Sequence, residues 1–266
     1  MPEGDTIWRT AATLSALQGR RVVRARPDSL ARFAGHTVVE VKPVGKHLMI
    51  RFDNGLAIHS HMRMRGAWHL YRPSEPWRRP GWQAKAILET EDWVAVCFSA
   101  PVIDVVRDER TRLGHLGPDI LRDDWSARDV VERARERGPV AVGELLLDQR
   151  VTAGIGNVYR CEALWQCRVN PWTDASELNE EQLAALFETA HRAMKANLRG
   201  DVQRRFPGYG RGAVHGRAGR PCPRCGTRIS VRAQGEHARM TFWCQGCQQG
   251  QVRAAAAATP RAPRPQ

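Results

Sequence analysis

No apolar run in this 266-residue chain approaches the roughly 18 residues a membrane span needs, so no membrane segment is expected. The first residues hold no apolar core segment. Glu3, Asp5 and Arg9 interrupt them, which argues against a signal peptide and for a cytosolic protein. No internal repeat is present. Acidic side chains are in deficit: 28 Asp and Glu stand against 41 Lys and Arg, a formal net charge of +13. An imbalance of this size points to a polyanionic partner, most often nucleic acid. Cysteine is scarce at seven residues, and in a reducing cytosol paired spacing implies metal rather than disulfides.

What is present changes texture along the chain. Ile7, Ala11, Leu14 and Leu17 follow helical spacing, which predicts a helix over 3–18 ended by Gly19. From about residue 20 to 100 the runs are short and alternating: Arg21–Arg26, Thr37–Val44, Leu48–Phe52, Leu56–His61, Ala84–Glu89 and Trp93–Phe98. Turn formers such as Asp53-Asn54-Gly55 separate them, which predicts antiparallel strands in a β-sandwich, with Arg72–Gly81 as a loop. The sheet pattern ends near Gly117-Pro118-Asp119. Helical stretches follow at Ala127–Arg137, Val142–Leu147, Val158–Trp165 and Glu180–Leu198. The Gly- and Arg-rich segment 201–219 reads as a mobile basic linker, and the Ala/Pro/Arg tail from about Ala254 as disordered. The expected class is a multidomain α+β protein: a sandwich over 1–124, a helical domain over 125–212, a small separate module over 213–250 and a tail over 251–266.

Three motifs carry chemistry. Cys222-x-x-Cys225 and Cys244-x-x-Cys247 are separated by eighteen residues, the spacing of a zinc ribbon. Four thiolates leave no open coordination position, so one structural Zn²⁺ is expected. Cys97, Cys161 and Cys167 lack this spacing and read as buried or idle. Between the knuckles, Val231–Thr241 predicts a hairpin turning at Gln234-Gly235-Glu236, with Arg239 near its end as a phosphate contact. The string from Leu145 to Tyr159 runs a helix into Gly154-Ile-Gly156 and opens a second helix near Asn157. Backbone N–H groups exposed at such a start suit a DNA phosphate. Finally, Pro2 follows the initiator Met1, which is normally trimmed before a small residue. A free N-terminal proline is a secondary amine titrating near pH ~7.7–8.0, able to attack an aldehyde-like carbon and form an iminium. Glu3 beside it could move protons.

Pro2-Glu3-Gly4, the string Leu146–Tyr159 and the Cys222–Cys247 ribbon occur in the order and at about the intervals of the formamidopyrimidine-DNA glycosylase/endonuclease VIII family, which the chain resembles over nearly its whole length except the tail. The resemblance implies an N-terminal β-sandwich, a helix–two-turn–helix domain and a zinc-finger hairpin, with damaged or abasic double-stranded DNA in the cleft between them. It implies a monomer, and a cytoplasmic, nucleoid-associated enzyme of base-excision repair. Pro2 then corresponds to the Schiff-base nucleophile at C1′, and Glu3 to the acid/base that protonates the sugar. Lys46, in Val44-Gly-Lys-His-Leu, matches a strand lysine acting near the reacting phosphodiester. Asn157 and Arg239 match residues gripping the phosphates that flank the lesion, and Arg239 is also assigned the δ-elimination. Asp5 and Glu162 fall at family carboxylate positions. Arg63-Met64-Arg65, a loop after the strand Leu56–His61, is the candidate wedge that fills the hole left by a flipped base.

Two features resemble the endonuclease VIII branch, most like its actinobacterial members. The chain begins Pro-Glu-Gly rather than Pro-Glu-Leu-Pro-Glu. Ser99–Asp104 also lacks the Arg-Arg-Phe that supplies wedge residues in the formamidopyrimidine enzymes. Oxidised pyrimidines and abasic sites are therefore the expected substrates, released by glycosylase and β,δ-elimination chemistry; an oxidised-purine glycosylase is the alternative. The chain departs from the family at the wedge, where the enteric enzyme has Gln-Leu-Tyr. It departs also at Val214-His215-Gly216-Arg217, where Val-Tyr-Gly-Arg is usual, and at His115, where a phosphate-binding Arg often precedes Gly-Pro-Asp. A non-catalytic zinc-finger DNA-binding protein would have no reason to keep Pro2, Glu3, Lys46 and Arg239 together. A zinc-ribbon RNA-binding protein would explain the charge and the cysteines but not Pro2-Glu3 or the 145–159 string.

Overall fold

Alternation of apolar and polar residues becomes two four-stranded antiparallel sheets in a computed structural model that describes residues 2–198, 206 and 210–249. The strands are β1 Arg24–Arg26, β2 Val38–Val44, β3 His47–Phe52, β4 Ala57–His61, β5 Ala67–Tyr71, β6 Ala84–Glu89, β7 Val94–Phe98 and β8 Val102–Val106. One sheet has the order β1-β6-β7-β5 and the other β2-β3-β4-β8. In β3, Leu48, Ile50 and Phe52 point to the core between the sheets, while Met49 faces the opposite side against Ala57 and Val106. Each such side chain taken fully from water stabilises the fold by roughly 1.5–3 kcal/mol. Helix α1, Gly4–Leu14, lays Ile7, Ala11 and Leu14 into this core and turns Trp8 towards the helical half. It is the joint between the two.

The helical half contains α2 Arg110–Leu113, α3 Ala127–Arg135, α4 Val142–Leu145, α5 Asn157–Gln166 and α6 Glu180–Ala196. Asn179 and Gln182 form a reciprocal capping box that starts α6. Leu146, Val151, Ile155, Tyr159, Leu164, Leu186 and Phe187 share its core. The hairpin of β9, Ile229–Gln234, and β10, Arg239–Cys244, docks on α5 through Cys161, Trp165, Val214, Ile229 and Cys244. No described helix is long and apolar enough to cross a membrane.

The structure departs from the sequence expectations in four places. The sequence reading does not include strands β5 and β8; β8, Val-Ile-Asp-Val-Val, is rich in β-branched residues and pairs with β4 from Ala57↔Val106 to His61↔Val102. Lys46 lies in the β2–β3 turn, not in a strand, because Gly45 takes φ +56° and the strands pair across it at Val44↔His47. The β9–β10 hairpin is longer than expected: Gln234 pairs with Arg239, so Arg239 opens β10 beside the turn rather than closing the hairpin. The described part of the expected mobile linker is held in place. The backbone N–H groups of Ala213, Val214 and His215 donate to the Glu162 carboxylate at 2.8–3.0 Å, and Ala213 and Val214 are buried. Residues 201–205 and 207–209 of that segment, and the tail from 250, lie outside the described residues.

Candidate active site

The site is organised by the loop 151–156, against which two distant pieces of chain are pressed, the N-terminal residues and the β2–β3 turn. Gly4 N–H donates to the Gly154 carbonyl at 3.0 Å. The Glu3 carboxylate accepts from the backbone N–H of Gly156 at 3.0 Å, Val158 at 2.9 Å and Tyr159 at 3.5 Å. Glu3 thus caps α5 from more than 150 residues away, satisfying donors that a local Ser or Asp would otherwise take. Only glycine fits at 156, where a Cβ would lie 2.3 Å from Glu3 Cδ. The second piece is the β2–β3 turn. A Cβ on Gly45 would sit 2.7 Å from Ala153 Cβ, and Gly45 N–H donates to Asp119 Oδ2 at 2.7 Å. Asp119 also accepts from Trp8 Nε1 and Leu121 N–H; its burial pushes the carboxyl pKa up, against these three donors.

This docking brings Pro2, Lys46, Asn157 and Arg239 to one cavity of about 610 Å³, together with Arg63, Met64 and His115. Glu3 is fully buried behind it, while Arg65 sits on an adjoining cavity that also opens on Pro2 and Met64. Burial lowers the Lys46 pKa to about 8; Glu3 opposes this and Arg239 adds to it. The wedge candidate is an exposed turn anchored by buried Met62. Arg63 adopts φ +50°, its N–H donates to His61 Nδ1 at 3.2 Å, and Met64 is 61% exposed. Asn157 is buried, its amide donating to the Met240 carbonyl at 2.8 Å and accepting from Arg160. It therefore ties α5 to β10 as well as facing the cavity. Asp5 accepts from the Tyr159 hydroxyl at 2.9 Å.

Several residues of this region carry no sequence signal. Arg160 is fully buried and donates to the Gly143 carbonyl, Gln234, Asn157 and Thr241, joining α4, α5 and both hairpin strands. His47 Nδ1 and His59 Nε2 share a 2.8 Å hydrogen bond, and His59 Nδ1 lies 3.5 Å from Asp104. Burial, reinforced by neighbouring histidines and cations, holds His47 at about 3 and His61 at about 4, so both imidazoles are neutral at physiological pH. Only strand pairing brings the three histidines together, which is why no linear motif announces them.

The four ribbon cysteines converge within 4.8 Å of one another. Their sulfurs stand 3.8 Å apart for Cys222–Cys247, and 3.4 Å for both Cys225–Cys244 and Cys225–Cys247. A disulfide needs about 2.05 Å. A tetrahedron with metal–sulfur bonds of about 2.3 Å has edges near 3.8 Å, so the set fits a Cys₄ metal ion. Trp165 Nε1 and Arg224 N–H donate to Cys222 Sγ, both at 3.4 Å, orienting one ligand.

Residues 1–101 match the family model described as the formamidopyrimidine-DNA glycosylase N-terminal domain, and residues 116–206 its H2TH domain. The chain is 41% identical over 261 residues to a probable endonuclease 8 2 of Streptomyces coelicolor, covering 94% of this chain and 95% of that one. It is 34% identical over 259 residues to the DNA-(apurinic or apyrimidinic site) lyase Nei2 of Mycolicibacterium smegmatis, covering 93% and 99%. Its fold matches that of Lactococcus lactis Fpg in a complex with DNA containing an abasic site, with TM-score 0.79 at 19% identity, over 93% of this chain and all of that one.

Proposed function

Since the chain belongs to the formamidopyrimidine-DNA glycosylase/endonuclease VIII family, we propose that its cleft removes oxidised pyrimidines from duplex DNA and then cleaves the strand. The protein is a DNA glycosylase/AP lyase of base-excision repair. The observation that carries the reading is the shared cavity of Pro2, Lys46 and Arg239, with Glu3 locked behind it on the start of α5.

The Pro2 amine attacks C1′ of the damaged nucleotide and the base departs. The ammonium formed at Pro2 passes its proton to Glu3, which hands it to the sugar ring oxygen; the ring opens to an iminium. The iminium makes the C2′ proton acidic, and its loss expels the 3′ phosphate. A second elimination expels the 5′ phosphate. Lys46 and Arg239 supply the cations facing these phosphates, with Asn157 and His115 beside them. Zn²⁺, held by Cys222, Cys225, Cys244 and Cys247, supplies no chemistry to these steps; the four thiolates anchor the hairpin that presents Arg239.

The pyrimidine branch is supported by the β7–β8 connection. Only Ser99-Ala100-Pro101 joins the two strands, so this turn has no length for an Arg-Arg-Phe wedge. The test is a set of duplex oligonucleotides carrying thymine glycol, dihydrouracil, 8-oxoguanine or an abasic site. Strand scission at the two pyrimidine lesions and the abasic site, at least tenfold faster than at 8-oxoguanine, is expected. The reverse ranking assigns the enzyme to oxidised purines, and no scission of any duplex removes the enzymatic reading.

Lys46 makes binding pH-dependent. With its pKa near 8 in the free protein, the side chain loses charge as pH rises past that value. A DNA phosphate favours the charged form, so binding takes up a proton above pH 8. Affinity for an abasic-analogue duplex should fall between pH 8 and 10 by up to about tenfold per pH unit at constant salt. Lys46→Met should flatten this slope; an unchanged slope would place the titrating group elsewhere.

A further inference from the structure

Two tryptophans in the loop between β5 and β6 have opposite fates. Trp77 is anchored, stacked on Tyr71 at 6.4 Å and edge-on to Phe98 at 5.8 Å, and Arg78 N–H beside it donates to the Tyr71 hydroxyl at 3.1 Å. Trp82, five residues on, is 80% exposed, the most exposed large apolar side chain among the described residues. It forgoes the burial that an indole usually gains. Its backbone is nevertheless fixed. Residues Gly81–Gln83 form a 3₁₀ turn, and the Gln83 carbonyl accepts from Ser99 N–H at 2.8 Å. Ser99 holds φ +52°, a conformation a serine rarely adopts, so the surrounding structure enforces this contact. Arg79 donates to the Arg65 carbonyl at 3.1 Å, coupling the loop to the candidate wedge turn. The indole is therefore displayed from a rigid base.

What it faces is chemically specific. Trp82 lines an open cavity of about 1130 Å³ that also reaches Pro2 and Met64. On the sandwich side the lining includes the cations Arg65, Arg79 and Lys85; Thr6, Arg9, Val158, Phe206 and Arg211 line the cavity from the helical half. A flat aromatic face set among cations is the combination that stacks a nucleobase while holding the adjoining phosphates. A nucleotide joined to Pro2 lies where Thr6 and Val158 close in, because Val158 donates to Glu3 directly behind Pro2. Trp82 belongs to the other wall and is tied to the wedge turn, so the base within its reach is the one that flipping deprives of a partner.

We infer that Trp82 is a stacking platform for the unpaired base opposite the flipped nucleotide, a subsite that lets the enzyme sense the opposing strand. The inference rests on the flipping chemistry proposed above. Binding measurements, which do not require turnover, test it separately. Three duplexes serve as probes: one intact, one with a tetrahydrofuran abasic analogue opposite 2-aminopurine, and one with dihydrouracil opposite the same base. Trp82→Ala should weaken both modified duplexes by roughly 5- to 100-fold, with little change for the intact one, and Trp82→Phe should recover most of the loss. The 2-aminopurine fluorescence quenched by wild-type protein should reappear with Trp82→Ala. Lys85→Gln should instead weaken all three duplexes alike and reduce the salt dependence. Loss confined to the dihydrouracil duplex, with 2-aminopurine unaffected, would give the platform to the everted base and overturn the assignment. Equal binding of all three duplexes by wild type and Trp82→Ala would remove the subsite altogether. If wild type binds as expected yet cleaves none of the lesions, the functional reading fails and the platform stands.

Discussion

Keeping any residue ahead of Pro2 is expected to abolish the borohydride-trapped adduct with abasic DNA and to lower strand scission by on the order of 10⁴-fold or more, the scale seen when a covalent nucleophile is lost. An amide nitrogen has no free electron pair to form an iminium, whereas the free secondary amine titrates near pH ~7.7–8.0 and is partly unprotonated at neutrality. The surroundings of Pro2 leave little freedom to compensate. Gly4 N–H is bonded to Gly154, Glu3 is held by amides of Gly156 and Val158, and a Cβ on Gly4 would meet Gly154 Cα at 3.1 Å. Binding should survive, because the cations at Lys46, Arg63 and Arg239 are untouched; dissociation constants for the same duplex should agree within about threefold. The comparison is a tagged protein retaining its leader against the same protein after removal to Pro2. Efficient trapping by the blocked form would move the nucleophile elsewhere, with Lys46 the first candidate because its pKa near 8 leaves it partly neutral.

The second large effect is expected from the cysteine cluster. Cys244→Ser should take bound zinc from one equivalent to none and expose the hairpin to proteolysis within 210–249. Apparent free energies for structural zinc run about 10–16 kcal/mol in finger peptides, more than a two-stranded hairpin supplies by itself. The damage has a defined route. Cys244 shares its small core with Cys161, Trp165 and Ile229, and the hairpin supplies Gln234 and Thr241 to the buried guanidinium of Arg160. Once the hairpin leaves, Arg160 keeps its charge with fewer acceptors, which costs several kcal/mol at the α4–α5 junction. Affinity for damaged duplex should drop at least tenfold through displacement of Arg239, while the β-sandwich, whose core is separate, should melt at an unchanged temperature. A metal-free protein whose hairpin stays protected and whose affinity is intact would show that the metal is dispensable to the fold.

Much of this was readable along the chain. The CxxC pairs fold as local knuckles, so four ligands can be named from spacing alone. The strands β2, β3, β4, β6 and β7 follow from alternation, since a period of two sorts side chains to opposite faces before any partner is known. Pro2 and Glu3 carry their chemistry in their functional groups. Where local texture misled, a distant partner was the cause. The Gly- and Arg-rich run before the ribbon has the composition of a mobile linker, yet its described end is pinned because Glu162, some fifty residues earlier, offers oxygens to three consecutive amides. Lys46 read as a strand residue because Val and His flank it, and the turn depends on Gly45 being pressed onto Ala153.

The sequence by itself therefore determined the inventory: a secondary amine, its neighbouring carboxylate, a metal-binding quartet, a cationic surface and the helices and strands other than α2, β5 and β8. These properties belong to single residues or to short-range periodicity. Only the tertiary structure decided that Glu3 caps a helix beginning at residue 157, that Arg160 is buried as a joint, that three histidines share one wall, and that Trp77 is half-buried and stacked while Trp82 is displayed. Each of these depends on how separate strands, helices and loops pack together. Its energy depends on burial and on donor–acceptor geometry that exist only once the sheets and helices have closed around the loop at 151–156.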